Sequence, residues 1–104
     1  MRLVLDACTL FPAVMRGVLL GYAGAGGFEP LWSARILAEW LNATARQRGP
    51  AEAALAGDAA AAMARPFPAA LVEGWEALED PGGLPDPADA HVIAAARAGR
   101  ADGI

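Results

Sequence analysis

Lysine is missing from this chain: its eight basic residues are all arginine, set against twelve acids for a formal charge of -4. A balance of that sign argues against an extended electrostatic footprint on nucleic acid of the kind that releases many counterions. It leaves open a nucleic acid held through a metal ion, because the ion inverts the local charge logic. Cysteine is nearly missing too. Cys8 alone excludes an internal disulfide framework and fits a reducing compartment; it is expected as a small buried hydrophobe rather than a nucleophile. Histidine occurs once, at His91, so there is no His/Cys cluster at zinc spacing, and a Ser-His-Asp triad would have to recruit that one ring. No apolar run approaches the ~20 residues of a membrane span. A single Arg2 before a short apolar stretch argues against a signal peptide, and the expectation is a soluble cytoplasmic domain.

What is present begins with Arg2-Leu3-Val4-Leu5-Asp6-Ala7-Cys8-Thr9. The continuous apolar run, without alternation, suits a strand covered on both faces, as in a parallel sheet. Asp6 falls where that strand ends, and in open α/β sheets the ligand crevice lies outside the carboxyl ends of the strands. Asp also caps the helix that usually follows a strand, so position alone leaves both roles open. The 104 residues form one domain, 1–104, that should bury roughly 65% of its unfolded surface.

Pro12 opens a helix at its first turn. In it Val14, Val18, Leu19 and Tyr22 recur at helical spacing, and the run stops in Ala23-Gly24-Ala25-Gly26-Gly27. A glycine-rich phosphate loop needs a strand before it and a helix after it. Here a helix precedes and a short extended segment follows, so the glycines read as a helix stop and turn. Residues 28–32 read as a second short strand, with Pro30 limiting its pairing. Ser33 then N-caps a helix over Ala34 to Arg48, whose apolar stripe is Ile36, Leu37, Trp40, Leu41 and Thr44. Glu39 lies off the centre of that stripe and reads most simply as a solvated residue paired with Arg35.

Gly49-Pro50 breaks the chain ahead of an Ala-dominated helix to about residue 65. Alanine has the best helix propensity, but with few large side chains this helix covers the core rather than builds it. Ala70-Leu71-Val72 suggests a short third strand; Glu73, Glu76, Glu79 and Asp80 read as a solvated acidic face, and Pro81-Gly82-Gly83 as a turn.

The second informative stretch is Leu84-Pro85-Asp86-Pro87-Ala88-Asp89-Ala90-His91-Val92-Ile93-Ala94-Ala95-Ala96. Asp86 is a helix N-cap with Pro87 at the first helical position. Asp89 lies in the first turn, where the helix dipole favours a carboxylate. At ~100° per residue, Asp89 falls within about 60° of Val92, Ile93 and Ala96 and so is expected along the packed face. His91 then points away, toward a surface or satellite-packing role. Gly99-Arg100-Ala101-Asp102-Gly103-Ile104 reads as a helix stop followed by the first residues of another strand.

Three acids stand out by position: Asp6 after a strand, Glu39 on a helix, Asp89 in a first helical turn. Oxygen-only ligands from separate elements are what Mg²⁺ or Mn²⁺ prefer, and such sites activate water and stabilise the leaving oxygen in phosphodiester cleavage.

Leu3-Val4-Leu5-Asp6-Ala7 with Leu10-Phe11-Pro12, Leu31-Trp32-Ser33 with Ile36-Leu37-Ala38-Glu39, and the whole of Leu84-Pro85-Asp86-Pro87-Ala88-Asp89-Ala90-His91-Val92-Ile93-Ala94-Ala95-Ala96 together resemble the PIN domain. The nearest branch is that of bacterial VapC-like toxins of toxin–antitoxin pairs. The resemblance implies an α/β fold, an α/β/α sandwich around a short parallel sheet. It also implies a Mg²⁺- or Mn²⁺-dependent endoribonuclease with an RNA substrate, an antitoxin protein as partner, and Asp6, Glu39 and Asp89 as catalytic and metal-binding acids. Asp86 is a secondary acid or only the cap, and Thr9 a polar residue helping to orient Asp6.

There are departures. Relatives often carry an acid where this chain has Gly17. PIN domains also continue into a strand like Val-Thr-x-Asn followed by Asp-Phe, and this sequence ends at Ile104 before it, so the last strand or strands of the sheet are expected to be missing. Asp102 does not replace the missing acid. A sheet edge left open invites association, which gives the expectation of a homodimer or higher oligomer. The alternative function is a non-catalytic PIN-like module that binds a protein partner. A haloacid-dehalogenase-like phosphatase also starts with a strand and Asp, but wants a second Asp where Cys8 stands.

Overall fold

Branched and apolar residues at the start of the chain form strand β1 (Arg2–Val4), which pairs in parallel with β2 (Glu29–Leu31). The structure is a computed structural model, and it describes residues 1–80, 82, 84 and 86–104. The expected turn at Pro81-Gly82-Gly83 and the Pro85 part of the motif lie largely outside those residues. In register, Leu3 stands opposite Pro30. Proline does not break this pairing, because the ladder asks no donor of it: Glu29 N–H donates to the Met1 carbonyl and Leu5 N–H to the Leu31 carbonyl.

Odd-numbered residues of β1 thus bond toward β2, and even-numbered ones bond the other way. Val4 N–H donates to the Gly103 carbonyl, Asp102 N–H donates to the Arg2 carbonyl, and Leu3 and Gly103 form a parallel bridge. On the far side of β2, Trp32 bridges Leu71 in parallel, with Val72 N–H donating to the Trp32 carbonyl. Four parallel segments therefore lie side by side, with β1 in an inner place. The short segments expected at 70–72 and after Gly99 both find their places.

Helix α1 (Ala7–Leu10) follows β1 at once, and α2 (Ala13–Gly24) follows it. Three of the four apolar residues at helical spacing in α2, Val14, Val18 and Tyr22, are exposed; the helix buries only Ala23. Helix α3 (Ala34–Arg48) has the bounds its cap predicts, with the buried Ser33 hydroxyl accepting the Ile36 N–H at 3.1 Å. Its stripe buries Ile36, Trp40 and Thr44, and full burial of a side chain such as Ile36 contributes about 1.5–3 kcal/mol. Gly49 (φ 90°, ψ 175°) occupies backbone space almost reserved for glycine, and it turns the chain straight into α4 (Pro50–Met63), which packs along α3. As its composition foretells, α4 buries only Ala56 and Met63. A 3-10 turn at Trp75–Leu78 and another at Pro87–Asp89 lead into α5 (Ala90–Ala98), which packs on β1 and on the first of these turns.

The result is a mixed α/β fold around a short parallel sheet, its core centred on Val4, Leu10, Leu31, Ile36 and Trp40. No helix among the described residues is long and apolar enough to cross a membrane. Cys8 differs from expectation. It is exposed, because the one-turn α1 turns Leu10 into the core and Cys8, two residues earlier, to the outside.

Candidate active site

Asp6 stands two residues past the end of β1 and caps α1. Its Oδ1 accepts the Thr9 backbone N–H at 3.0 Å, so Thr9 orients the carboxylate through its main chain. The half-buried side chain has its second oxygen left over from this contact. The two roles open to Asp6 are therefore compatible, since one oxygen suffices for the cap.

Glu39 sits on α3 facing the start of the chain. It lines a cleft of about 500 Å³ with Ala7, Cys8 and Phe11 on one side and Asn42 and Arg46 on its own helix. The expected pairing with Arg35 does not form. Arg35 instead reaches Glu79, at 3.4 Å, and Glu39 Oε1 meets His91 Nε2. Tertiary partners on other segments displace the local i, i+4 pair, which is worth only about 0.2–0.5 kcal/mol.

The geometry of α5 overturns two expectations. The face it buries is Ala90, His91, Ala94 and Ala95, while Ile93 is 37% exposed and Asp89 is exposed. His91, expected at the surface or in a satellite contact, is 1% exposed. Its ring lies 6.0 Å from Trp75, and its Nδ1 is buried without a hydrogen-bond partner. Two physical reasons explain the error. Asp89 belongs to a 3-10 turn, which rotates by about 120° per residue, so counting back at the α-helical angle misdirects it. Small alanines together with His91, rather than Ile93, form the fully buried face, with Val92 half-buried beside it. The spacing 91, 94, 95, 98 was a legible signal of that face. Asp86 is exposed and acts as the cap, its Oδ1 accepting the Ala88 N–H at 2.9 Å. Asp102 is tied into the sheet, its Oδ2 accepting the Arg2 N–H at 2.8 Å.

Glu39 thus stands between α1, which Asp6 caps, and α5, which begins just after Asp89. The donor chemistry is of the kind a hard divalent cation takes. The arrangement is not: among the described residues no three His, Cys, Asp or Glu side chains are grouped so as to hold an ion, and one oxygen of Glu39 is engaged by His91. As arranged, the acids do not fit a ready-made metal centre. Sequence reasoning placed His91 at the surface or in a satellite contact, and it did not single out Arg46, the cation that shares the cleft with Glu39.

A family model described as PIN domain matches residues 2–104. No curated protein and no solved structure gives a significant match.

Proposed function

The chain belongs to the PIN-domain family, a family of nucleases, and from that premise we propose that it is an endoribonuclease using Asp6, Glu39 and Asp89. The observation that supports this reading best is the place of Glu39. Its carboxylate lines the cleft that opens from the first turn of α1 and touches α5 two residues beyond Asp89. A carboxylate in such a cleft can take a proton from an attacking water. It also repels a phosphodiester, so cleavage needs positive charge beside it, and Arg46 supplies some from the same wall. Dependence on Mg²⁺ or Mn²⁺ is the part of this reading that the spacing of the acids does not support.

The finer reading is a VapC-like toxin, cytoplasmic, held by an antitoxin protein and assembling as a homodimer or larger oligomer. The exposed Val14, Val18 and Tyr22 of α2 offer apolar surface for such contacts. A second reading, a PIN-like module without catalysis that binds a protein partner, is favoured by the engagement of Glu39 with His91 and by the absence of a three-acid group among the described residues.

Asp6→Asn tests the first reading. Asparagine caps a helix as well as aspartate does, so the fold should persist while RNA cleavage in Mn²⁺ disappears. Unchanged cleavage rejects the assignment. Incubation of the wild-type chain with unstructured RNA, once in EDTA and once in Mn²⁺, separates the two readings: cleavage in either condition supports the nuclease, and none in both supports the non-catalytic module.

A further inference from the structure

The acidic chain carries one furrow with the opposite character. Phe11 lines both the cleft that holds Glu39 and a neighbouring groove of about 240 Å³ between α2, α3 and α4, so the two flank its ring. Three of the eight arginines stand along this line. Arg46 lines the first cleft; Arg16 and Arg48 line the second. Two of them are held by aromatic faces: the Arg16 guanidinium lies 4.7 Å from the Trp40 ring centre, and that of Arg48 lies 5.2 Å from the Phe11 ring centre. Arg16 is fixed further by donating from Nη1 to the Leu10 carbonyl at 2.8 Å. Among the described residues none of the three has a carboxylate within ion-pair distance, although Glu52 lies on the far wall of the second groove.

Guanidinium groups pinned on rings keep donors free in a fixed plane, and that geometry suits phosphate oxygens better than it suits a single point charge. Unpaired arginines also keep their charge for an incoming anion. We infer that the furrow past Phe11, with Arg46 and Arg48 as its phosphate contacts and Arg16 as its fixed wall, carries the backbone of a single-stranded RNA toward Glu39. The choice of RNA among polyanions rests on the nuclease reading.

Fluorescence anisotropy of the full chain with a short labelled oligouridylate, in EDTA so that cleavage plays no part, tests this directly. Arg46→Gln with Arg48→Gln should weaken binding by roughly tenfold and lower the slope of log affinity against log salt by about 1 to 2, as expected for two lost phosphate contacts. Arg65→Gln with Arg97→Gln makes the same change in net charge on exposed residues away from the furrow, and should leave affinity and slope unchanged. Equal loss in both pairs, full affinity in the first pair, or competition by polyglutamate as effective as that by unlabelled RNA overturns the inference. If the double variant loses its helical circular dichroism, Arg46→Gln alone carries the test, with an expected loss of roughly threefold. A chain that cleaves RNA yet binds it undiminished without these arginines sinks the furrow and spares the nuclease. A chain that binds through the furrow and never cleaves in Mn²⁺ does the reverse.

Discussion

Asp6 caps α1 with the same carboxylate that the nuclease reading requires to be charged, so its two roles separate by substitution. Asp6→Ala should lower stability by about 1 kcal/mol through the lost cap, whereas Asp6→Asn should lower activity at nearly native stability. Urea unfolding of both variants checks the first half. His91 poses a different question at this scale, because it is a fully buried ring with one nitrogen engaged and one orphaned. His91→Ala opens a cavity against Trp75 and should cost about 2–4 kcal/mol. His91→Leu fills most of that space and removes the orphan nitrogen, whose burial unpaired costs about 1–3 kcal/mol. It should therefore unfold within about 1 kcal/mol of the native chain. Equal losses in the two variants would mean that the contact with Glu39, rather than packing, is what His91 contributes.

Among the elements, α4 is the one least tied to its residues. Gly57 stands in its interior, where an added Cβ would meet only Leu41 Cδ2, at the ordinary contact distance of 3.7 Å. Gly57→Ala should raise stability by about 0.5–1 kcal/mol, visible as a higher urea midpoint. Gly49→Ala should do the opposite, because the backbone there is open to glycine almost alone. The elements were largely legible from composition and caps. Ser33 and Gly49 mark the bounds of α3, and proline with glycine mark the start of α4, since these are local hydrogen-bond and backbone effects. The faces of the elements were less legible. Val14, Val18 and Tyr22 look like a core stripe by spacing, yet they face outward, because spacing records which residues lie together and not which side meets the sheet.

For the whole molecule, the expectation of a dimer came from an open strand edge. In the structure the β1 edge is met by Gly103 and the β2 edge by Leu71, so edge pairing is a weaker reason to associate than the apolar surface of α2. If α2 drives self-association, Val14→Glu with Val18→Glu should shift the mass seen by light scattering to that of the monomer at every concentration. A wild-type chain already monomeric at high concentration would dismiss the oligomer altogether.

The amino-acid sequence by itself determined the parallel strands, the capped helices and the family, because these follow from local propensity, hydrogen-bond caps and motifs that need no partner. It also determined that Asp6 follows a strand and Glu39 sits on a helix. Only the tertiary structure decided what each acid meets: His91 for Glu39, the first turn of α1 for Asp6, and open solvent for Asp89. Partners drawn from distant segments are chosen by how helices rotate onto the sheet. On α5 that rotation turns Ala90, Ala94 and Ala95 inward together with His91, which no charge pattern records.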